Sequence, residues 1–457
     1  MNKKLLDEIF SRGIVEFIDP GDLFRKKLEN TPEKVIIKLG IDPTRPDIHL
    51  GHAVVLRKMR MMQELGAKVV LIIGDFTGRI GDPTGKSKTR PEIDQIEMEK
   101  NVQTFLTQFG KILLTDAEHF VWIRNSDWFV SVTDVVAPEA VSYNFSKGKE
   151  KLSIQFPPNS VPAKAAIWEQ TRMQPKFTGG RVESVTLVNF LSILRKLTHS
   201  RLIERDMFQD RLKSGDALYM HEMMYPVLQG LDSLVIYKTF GACDVEMGGT
   251  DQLFNNMMGR EILEMHQLPP QAVIVTDLLE GTDGKEKMSK SLDNYVSIID
   301  SPTEMFGKTM RIPDELIARW VELCTDLEAS TFTKRLKDGE NPRNLKAELA
   351  AELVKMYHGA EAAKQSTEEF TRLFSAGGSG KPDEIQEIHI EEGDWGIIEL
   401  LTQAKLVESK SEARRLISQG GIKVNDNRVD SIETSFEVGK GELILQVGKR
   451  KWAKIVS

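Results

Sequence analysis

The sequence predicts an α/β fold: a parallel sheet with helices on its faces, followed by a helical region and a small α+β unit. Three observations predict it. Val35 to Leu39 reads as a buried strand, Gly40 to Asp47 as a turn, and Ala53 to Leu65 carries apolar residues at helical spacing before Gly66. A second apolar run, Val69 to Ile73, follows, and strand, helix, strand at this spacing is a βαβ unit of the kind that builds parallel sheets. Beyond Pro302 the chain turns charged and helical, and Ala376-Gly377-Gly378-Ser379-Gly380-Lys381-Pro382 is the clearest linker.

Composition narrows the possibilities. The 457 residues carry a net charge of −7, so a nucleic-acid partner has to meet a local basic face. Cys243 and Cys324 are the only cysteines. They provide neither a disulfide framework nor a metal-ligand spacing, so a reducing compartment and no protein-held metal are expected. No stretch of ~18 apolar residues is present, so nothing is expected to span a membrane. Asp7 and Glu8 interrupt the first apolar run, unlike a signal peptide, and the expected location is cytoplasmic.

Taken in order, residues 1–34 are polar and helical in pattern. The turn after the first strand leads into His49-Leu50-Gly51-His52 at a helix N-terminus, where backbone N–H groups and the helix dipole suit a phosphate. Two histidines three apart can both reach such an anion, and Gly51 leaves space for a flat ring. A plain corner whose histidines cap or pack fits the same residues. The second strand runs into a loop with four glycines, Asp82 and Lys86, at the strand end where ligands of open α/β sheets bind. Val121-Trp122-Ile123 is a short strand. From about Ser131 to Val182, clustered lysines and prolines mark an insertion that either decorates the surface or shapes an entrance.

Helical periodicity resumes at Leu187–Leu197. His221 to Gln229 is a further helix, and Ser233-Leu234-Val235-Ile236 reads as a short strand. Tyr225, Gln229 and Asp232 share one face if the helix continues. They are either a structural network or the lining of a polar pocket. Gly248-Gly249-Thr250-Asp251-Gln252 opens the next helix, and its paired glycines allow close approach of a ligand, with Asp251 able to take a hydroxyl pair. Strand Ala272–Thr276 precedes Lys287-Met288-Ser289-Lys290-Ser291, either a solvated turn or a mobile clamp for pyrophosphate. In the last ~65 residues, Ser409-Lys410-Ser411-Glu412 is a capping box opening a helix with Arg414 and Arg415. Lys423, Lys449, Arg450 and Lys451 add to a basic face suited to RNA backbone, or merely solvated.

Together these pieces resemble the class I aminoacyl-tRNA synthetases, and most closely the tyrosine-specific family of the bacterial kind. His49-Leu50-Gly51-His52 matches the first signature of the class and Lys287-Met288-Ser289-Lys290-Ser291 the second. Gly40-Ile41-Asp42-Pro43-Thr44, Gly81-Asp82-Pro83, Tyr225-x3-Gln229-x2-Asp232 and Gly248-Gly249-Thr250-Asp251-Gln252 match the tyrosine branch. The C-terminal unit is similar to the S4 RNA-binding domain.

The resemblance implies a Rossmann-like catalytic domain over 1–300 with the insertion at about 131–182. A helical tRNA-binding domain over 301–375, a linker over 376–392 and an S4-like domain over 393–457 would follow. It implies activation of L-tyrosine with ATP, Mg²⁺ accompanying the phosphates, transfer to tRNA(Tyr), and a homodimer. His49, His52, Lys287 and Lys290 would act on the phosphates. Gly51, Asp251 and Ser289 would complete the ATP site. Asp42, Asp82, Tyr225, Gln229, Asp232 and Gln252 would surround tyrosine, with Asp232 accepting the phenol proton in a hydrogen bond. Lys38 is a departure, because many members have a tyrosine there that touches the substrate hydroxyl. It is grouped with the tyrosine-binding residues, and the hydroxyl's second contact is left open.

Overall fold

The computed structural model describes residues 3–83, 95–129, 141–147, 150–156, 185–374, 385–407, 409–439, 441–448 and 451–456. Contacts divide the chain into two units. One comprises Met1–Ile299 with Ile312–Gly339; the other comprises Asp300–Arg311 with Glu340–Ser457.

The first unit is built on a six-stranded sheet. Its strands are β1 (Ile14–Ile18), β2 (Ile36–Ile41), β3 (Lys68–Ile73), β4 (Phe120–Arg124), then, after a separate hairpin of β5 (Val141–Lys147) and β6 (Glu150–Phe156), β7 (Val245–Gly249) and β8 (Ala272–Thr276). The spatial order is β1-β8-β7-β2-β3-β4. All neighbours are parallel except β1, which runs antiparallel to β8. Every residue of β8 is buried, as are Val69 to Ile73 of β3, because helices cover both faces of a parallel sheet. The chain winds outward from β2 to β4, then returns to β7 beside β2. The order therefore reverses between β2 and β7, and a crevice at such a point is where ligands of these sheets sit.

The first βαβ unit is present as expected. Its helix runs Leu50–Gln63 with His49 at the N-cap, and Gly66 at φ +117° makes the turn into β3. Two expectations change. Residues 1–34 hold β1 as well as helices, and β1 is an edge strand. Ser233–Ile236 is not a strand, because a single helix runs Met220–Phe240 with Pro226 inside it. An apolar run of four residues fits a buried helix as well as a strand, and here Leu234, Val235 and Ile236 are all buried within the helix. Gly248 and Gly249 end β7, and Thr250–Gln252 form one turn before the helix Leu253–Met265.

The helical region expected over 301–375 is shared between the units. Helices Ile317–Cys324 and Ala329–Lys337 belong to the first, and Pro302–Thr309, Pro342–His358 and Ala360–Phe374 to the second. The C-terminal part of the second unit has its own core, with Ile397, Leu400, Leu401, Ile422 and Leu445 fully buried. Helices Ile397–Gln403 and Lys410–Ser418 accompany a five-stranded sheet ordered Asn427–Arg428, Ile422–Val424, Leu443–Val447, Lys451–Val456, Glu387–His389. That last strand lies inside the segment expected as linker; residues 376–384 are outside the described residues.

Candidate active site

A cleft of about 1030 Å³ opens at the reversal of strand order. Leu39 to Asp42 reach it from β2, Gly74 and Thr77 from the segment after β3, and Asn125 from the segment after β4. Met247 to Gln252, apart from Thr250, line it from the end of β7, and Thr276 to Leu279 from the end of β8.

One end of the cleft is a set of fixed acceptors. The Tyr225 hydroxyl donates to Asp42 Oδ2 and the Thr77 hydroxyl to Asp42 Oδ1, each at 2.8 Å. Position 74 has to be glycine, since a Cβ there would stand 2.0 Å from Asp42 Oδ1. Gln252 Nε2 donates to Asp82 Oδ2 at 2.8 Å. The Gln229 amide donates to Glu246 Oε1 at 3.0 Å and Asn256 Oδ1 at 3.1 Å, and accepts from Asn255 Nδ2 at 3.0 Å. Asp232 is buried and accepts from Trp128 Nε1 at 2.9 Å. Burial pushes the Asp232 carboxyl up to about 7, against the pull of the Lys38 charge and the Trp128 and Asn125 hydrogen bonds. The helix Met220–Phe240 presents Tyr225, Gln229 and Asp232 on one face, so these three line one wall as their spacing suggested.

The other end is basic. The His49 and His52 rings lie 3.8 Å apart, and His52 Nδ1 accepts from the His49 backbone N–H at 3.3 Å. That bond leaves Nε2 as the protonated nitrogen of His52. Burial, then the Lys290 and Lys287 charges, drives the His52 imidazole down to about 3; burial and the same neighbours, with His52, hold His49 well below its ordinary range. Both rings are therefore neutral at neutral pH. Among the described residues His49 Nδ1 is buried with no hydrogen-bond partner, an unmet polar atom at the cleft.

The lysine-rich loop faces this pair. Lys287 Nζ stands 2.6 Å from Asp251 Oδ2. Lys290 Nζ lies 5.0 Å from the centre of the Phe105 ring and donates to the Arg45 carbonyl at 3.2 Å. Burial brings the Lys290 ammonium down to about 8. Gly51 lies between His49 and Met288, where a Cβ would meet the His49 ring at 3.1 Å and Met288 Cβ at 3.6 Å. Ser289 lines the same cleft. The paired imidazoles and the lysine-rich loop, far apart in sequence, thus face one space.

Lys38 is corrected. It does not line the cleft; its amine is fully buried and bonded to Glu246, Ser233 and the Gln229 carbonyl. Trp128, Glu246 and Thr77 were not picked out by sequence reasoning, because each matters through a partner remote in the chain. In the second unit, Arg414, Arg415 and Lys423 are exposed on the Lys410–Ser418 helix and the neighbouring strand, and Lys451 Nζ donates to the Leu406 carbonyl. Lys449 and Arg450 lie outside the described residues.

Residues 30–134 and 176–375 match the model of the tRNA synthetases class I (W and Y) family, and residues 379–455 match that of the Tyrosine--tRNA ligase SYY-like C-terminal domain. A tyrosine–tRNA ligase of Bdellovibrio bacteriovorus is 38% identical over 97% of this chain and 96% of its own length. One of Moorella thermoacetica is 39% identical over 98% and 94%. The chain belongs to the tyrosine–tRNA ligase family. Among solved structures, a C-terminally truncated mitochondrial tyrosyl-tRNA synthetase of Aspergillus nidulans shares the fold at TM-score 0.55, with 19% identity over 81% of this chain and 94% of that one. A tyrosyl-tRNA synthetase of Archaeoglobus fulgidus complexed with L-tyrosine does so at TM-score 0.53, with 19% identity over 80% and 99%. The ligase family's class I model passes over residues 135–175, which fall within the insertion read from the sequence.

Proposed function

We infer that the chain joins L-tyrosine to tRNA(Tyr) in two steps within this cleft, and that the residues above divide the work as follows. The tyrosine carboxylate attacks the α-phosphorus of ATP, giving tyrosyl-adenylate and pyrophosphate; the terminal ribose hydroxyl of the tRNA then takes the tyrosyl group and AMP leaves. The observation that carries this reading is that His49, His52, Lys287 and Lys290 line the same cleft as Tyr225, Gln229 and Asp232. No protein nucleophile is needed. Catalysis is placement of two substrates plus stabilisation of phosphate charge as it builds.

In this reading Asp42, Asp82, Tyr225 and Gln229 surround the substrate ammonium, Gln252 the carboxylate end, and Asp232 accepts the phenol hydrogen. Asp251 takes the ribose hydroxyls and Gly51 lies beneath adenine. His52 donates from Nε2 to phosphate, and His49 offers its unmet ring nitrogen. Neutral donors fit here, because they gain strength as anionic charge arrives without having carried charge through burial. Lys287 and Lys290 close on the leaving pyrophosphate. Mg²⁺ enters with ATP. The phosphate end presents basic side chains, so the ion would be held by phosphate oxygens and water. Among the described residues, one group of side chains is close enough to share an ion, Asp116, Glu118 and His119, and it does not line the cleft.

ATP–pyrophosphate exchange tested with a panel of amino acids decides the substrate. Exchange with tyrosine alone supports the reading; exchange with tryptophan, or with none, overturns it. The basic face of the C-terminal part, with Arg414, Arg415, Lys423 and Lys451, is assigned to the tRNA backbone. Deleting residues after Gly380 should then leave exchange near the wild-type rate and sharply reduce tRNA charging. Equal loss of both activities would contradict that assignment. The homodimer is part of the same proposal, supported by the exposed apolar side chains of Leu187, Val188 and Leu191 on one helix. The expected place of work is the cytoplasm; among the described residues no helix is long and apolar enough to cross a membrane.

A further inference from the structure

Beneath the cleft lies an ion pair that the reaction just outlined does not use. Lys38 on β2 and Glu246 on β7 are register partners across the two strands that flank the reversal point. Their side chains are 0% and 1% exposed, and the charges stand 2.9 Å apart. Taking two charges out of water is costly, and a well-packed apolar pair of similar volume often serves stability as well or better. Stability alone is a weak reason for such a pair at the root of a binding site.

We propose that the Lys38–Glu246 pair is a positioning device for amino-acid recognition, clamping the Gln229–Ser233 turn against the strand ends so that Gln229 and Asp232 keep the separation that one tyrosine requires. This rests on the reading of the cleft as a tyrosine site. The three N–H groups of the Lys38 ammonium are all engaged, with Glu246 Oε1 at 2.9 Å, the Ser233 hydroxyl at 2.7 Å and the Gln229 carbonyl at 2.8 Å. Glu246 Oε1 also accepts from the Gln229 amide at 3.0 Å, and Oε2 accepts from Ser233 at 3.3 Å. Gln229 is therefore held by its backbone from Lys38 and by its side chain from Glu246. Asp232 lies between the two anchored residues.

The cluster is closed from the far side. A Cβ at Gly259 would stand 2.5 Å from Ser233 Oγ and 2.9 Å from Glu246 Oε2. Neither Lys38 nor Glu246 lines the cleft, so both act through the residues they hold. Asp232 faces Lys38 from β2, Glu246 from β7, and Trp128 and Asn125 from the segment after β4. The Lys38 charge favours its ionised form and the Glu246 charge opposes it, with Lys38 the stronger.

The test uses the full chain in ATP–pyrophosphate exchange, with Lys38→Met and Glu246→Gln combined so that no buried charge is orphaned. Loss of placement by about an ångström can cost up to ~10²-fold, so KM for tyrosine should rise by roughly ten-fold or more. KM for ATP should stay put, and the preference for tyrosine over phenylalanine should fall. The pH below which tyrosine kcat/KM declines should move upward. A folded double variant with wild-type tyrosine KM and wild-type preference would overturn the proposal. If that variant does not fold, Ser233→Ala, which removes one partner from each charge, should raise tyrosine KM several-fold; an unchanged KM there overturns it too. Wild-type exchange with tyrosine in the same assay separates the two ideas, since its failure strikes the functional reading and not the pair.

Discussion

Replacing Asp232 with alanine should reduce tyrosine kcat/KM by about 10²-fold or more, with little change in KM for ATP. Three hydrogen bonds end at this carboxylate in the proposed complex, from the substrate phenol, from Trp128 Nε1 at 2.9 Å and from the Asn125 side chain. Hydrogen bonds to a charged group contribute ~1.5–3 kcal/mol each, and leaving a buried partner unsatisfied adds to the loss. Phenylalanine, which brings no hydroxyl, should suffer far less, so the preference for tyrosine should collapse. Tyrosine exchange at the wild-type rate in this variant would remove Asp232 from the site.

The same carboxyl gives a pH signature. Burial raises Asp232 to about 7. Its acceptor form is thus lost as pH falls through that value, and tyrosine kcat/KM should decline from pH 8 to pH 6. Asp232→Asn should flatten the profile. Stability runs the other way. An acid whose folded pKa exceeds its unfolded value of about 3.9 costs the folded state stability as pH rises between the two. Asp232→Asn should therefore melt above the wild type at pH 8 and equal to it below pH ~4. A pH-independent difference between the two melting curves would place the charge elsewhere.

How far the sequence led follows from which interactions are local. His49 and His52 share one helical turn, and Tyr225, Gln229 and Asp232 share one helix face, so periodicity and spacing brought each set together. Glycine pairs and the lysine-rich loop carried their own turn chemistry. Contacts between remote elements were not legible. Trp128 meets Asp232 across 104 positions, and Lys38 meets Glu246 through strand register. Register depends on the assembled sheet, which a single strand does not specify. The same limit explains Ser233–Ile236, whose apolar run is buried on a helix and so carries no period to distinguish it from a strand.

Replacing Lys287 with alanine should divide binding from chemistry. Its ammonium is 2.6 Å from Asp251 Oδ2, the group assigned to the ribose. ATP must displace that contact, and the freed lysine then becomes available to the leaving pyrophosphate. Removing the side chain relieves the competition, so KM for ATP should not rise. It also removes charge that acts only as pyrophosphate departs, so kcat for adenylate formation should fall by ~10²–10³, the range for losing one preorganised donor. Lys290→Ala should lower kcat in the same range. The two losses should combine less than additively, since both ammonium groups answer the same developing charge. Because burial brings Lys290 down to about 8, its share should fade with rising pH unless bound ATP holds the proton in place. Single-turnover adenylate formation across pH, with ATP near and above its KM, reads both effects. A rise in ATP KM for Lys287→Ala with unchanged kcat would mean that this lysine binds the ground state and does not stabilise the transition state.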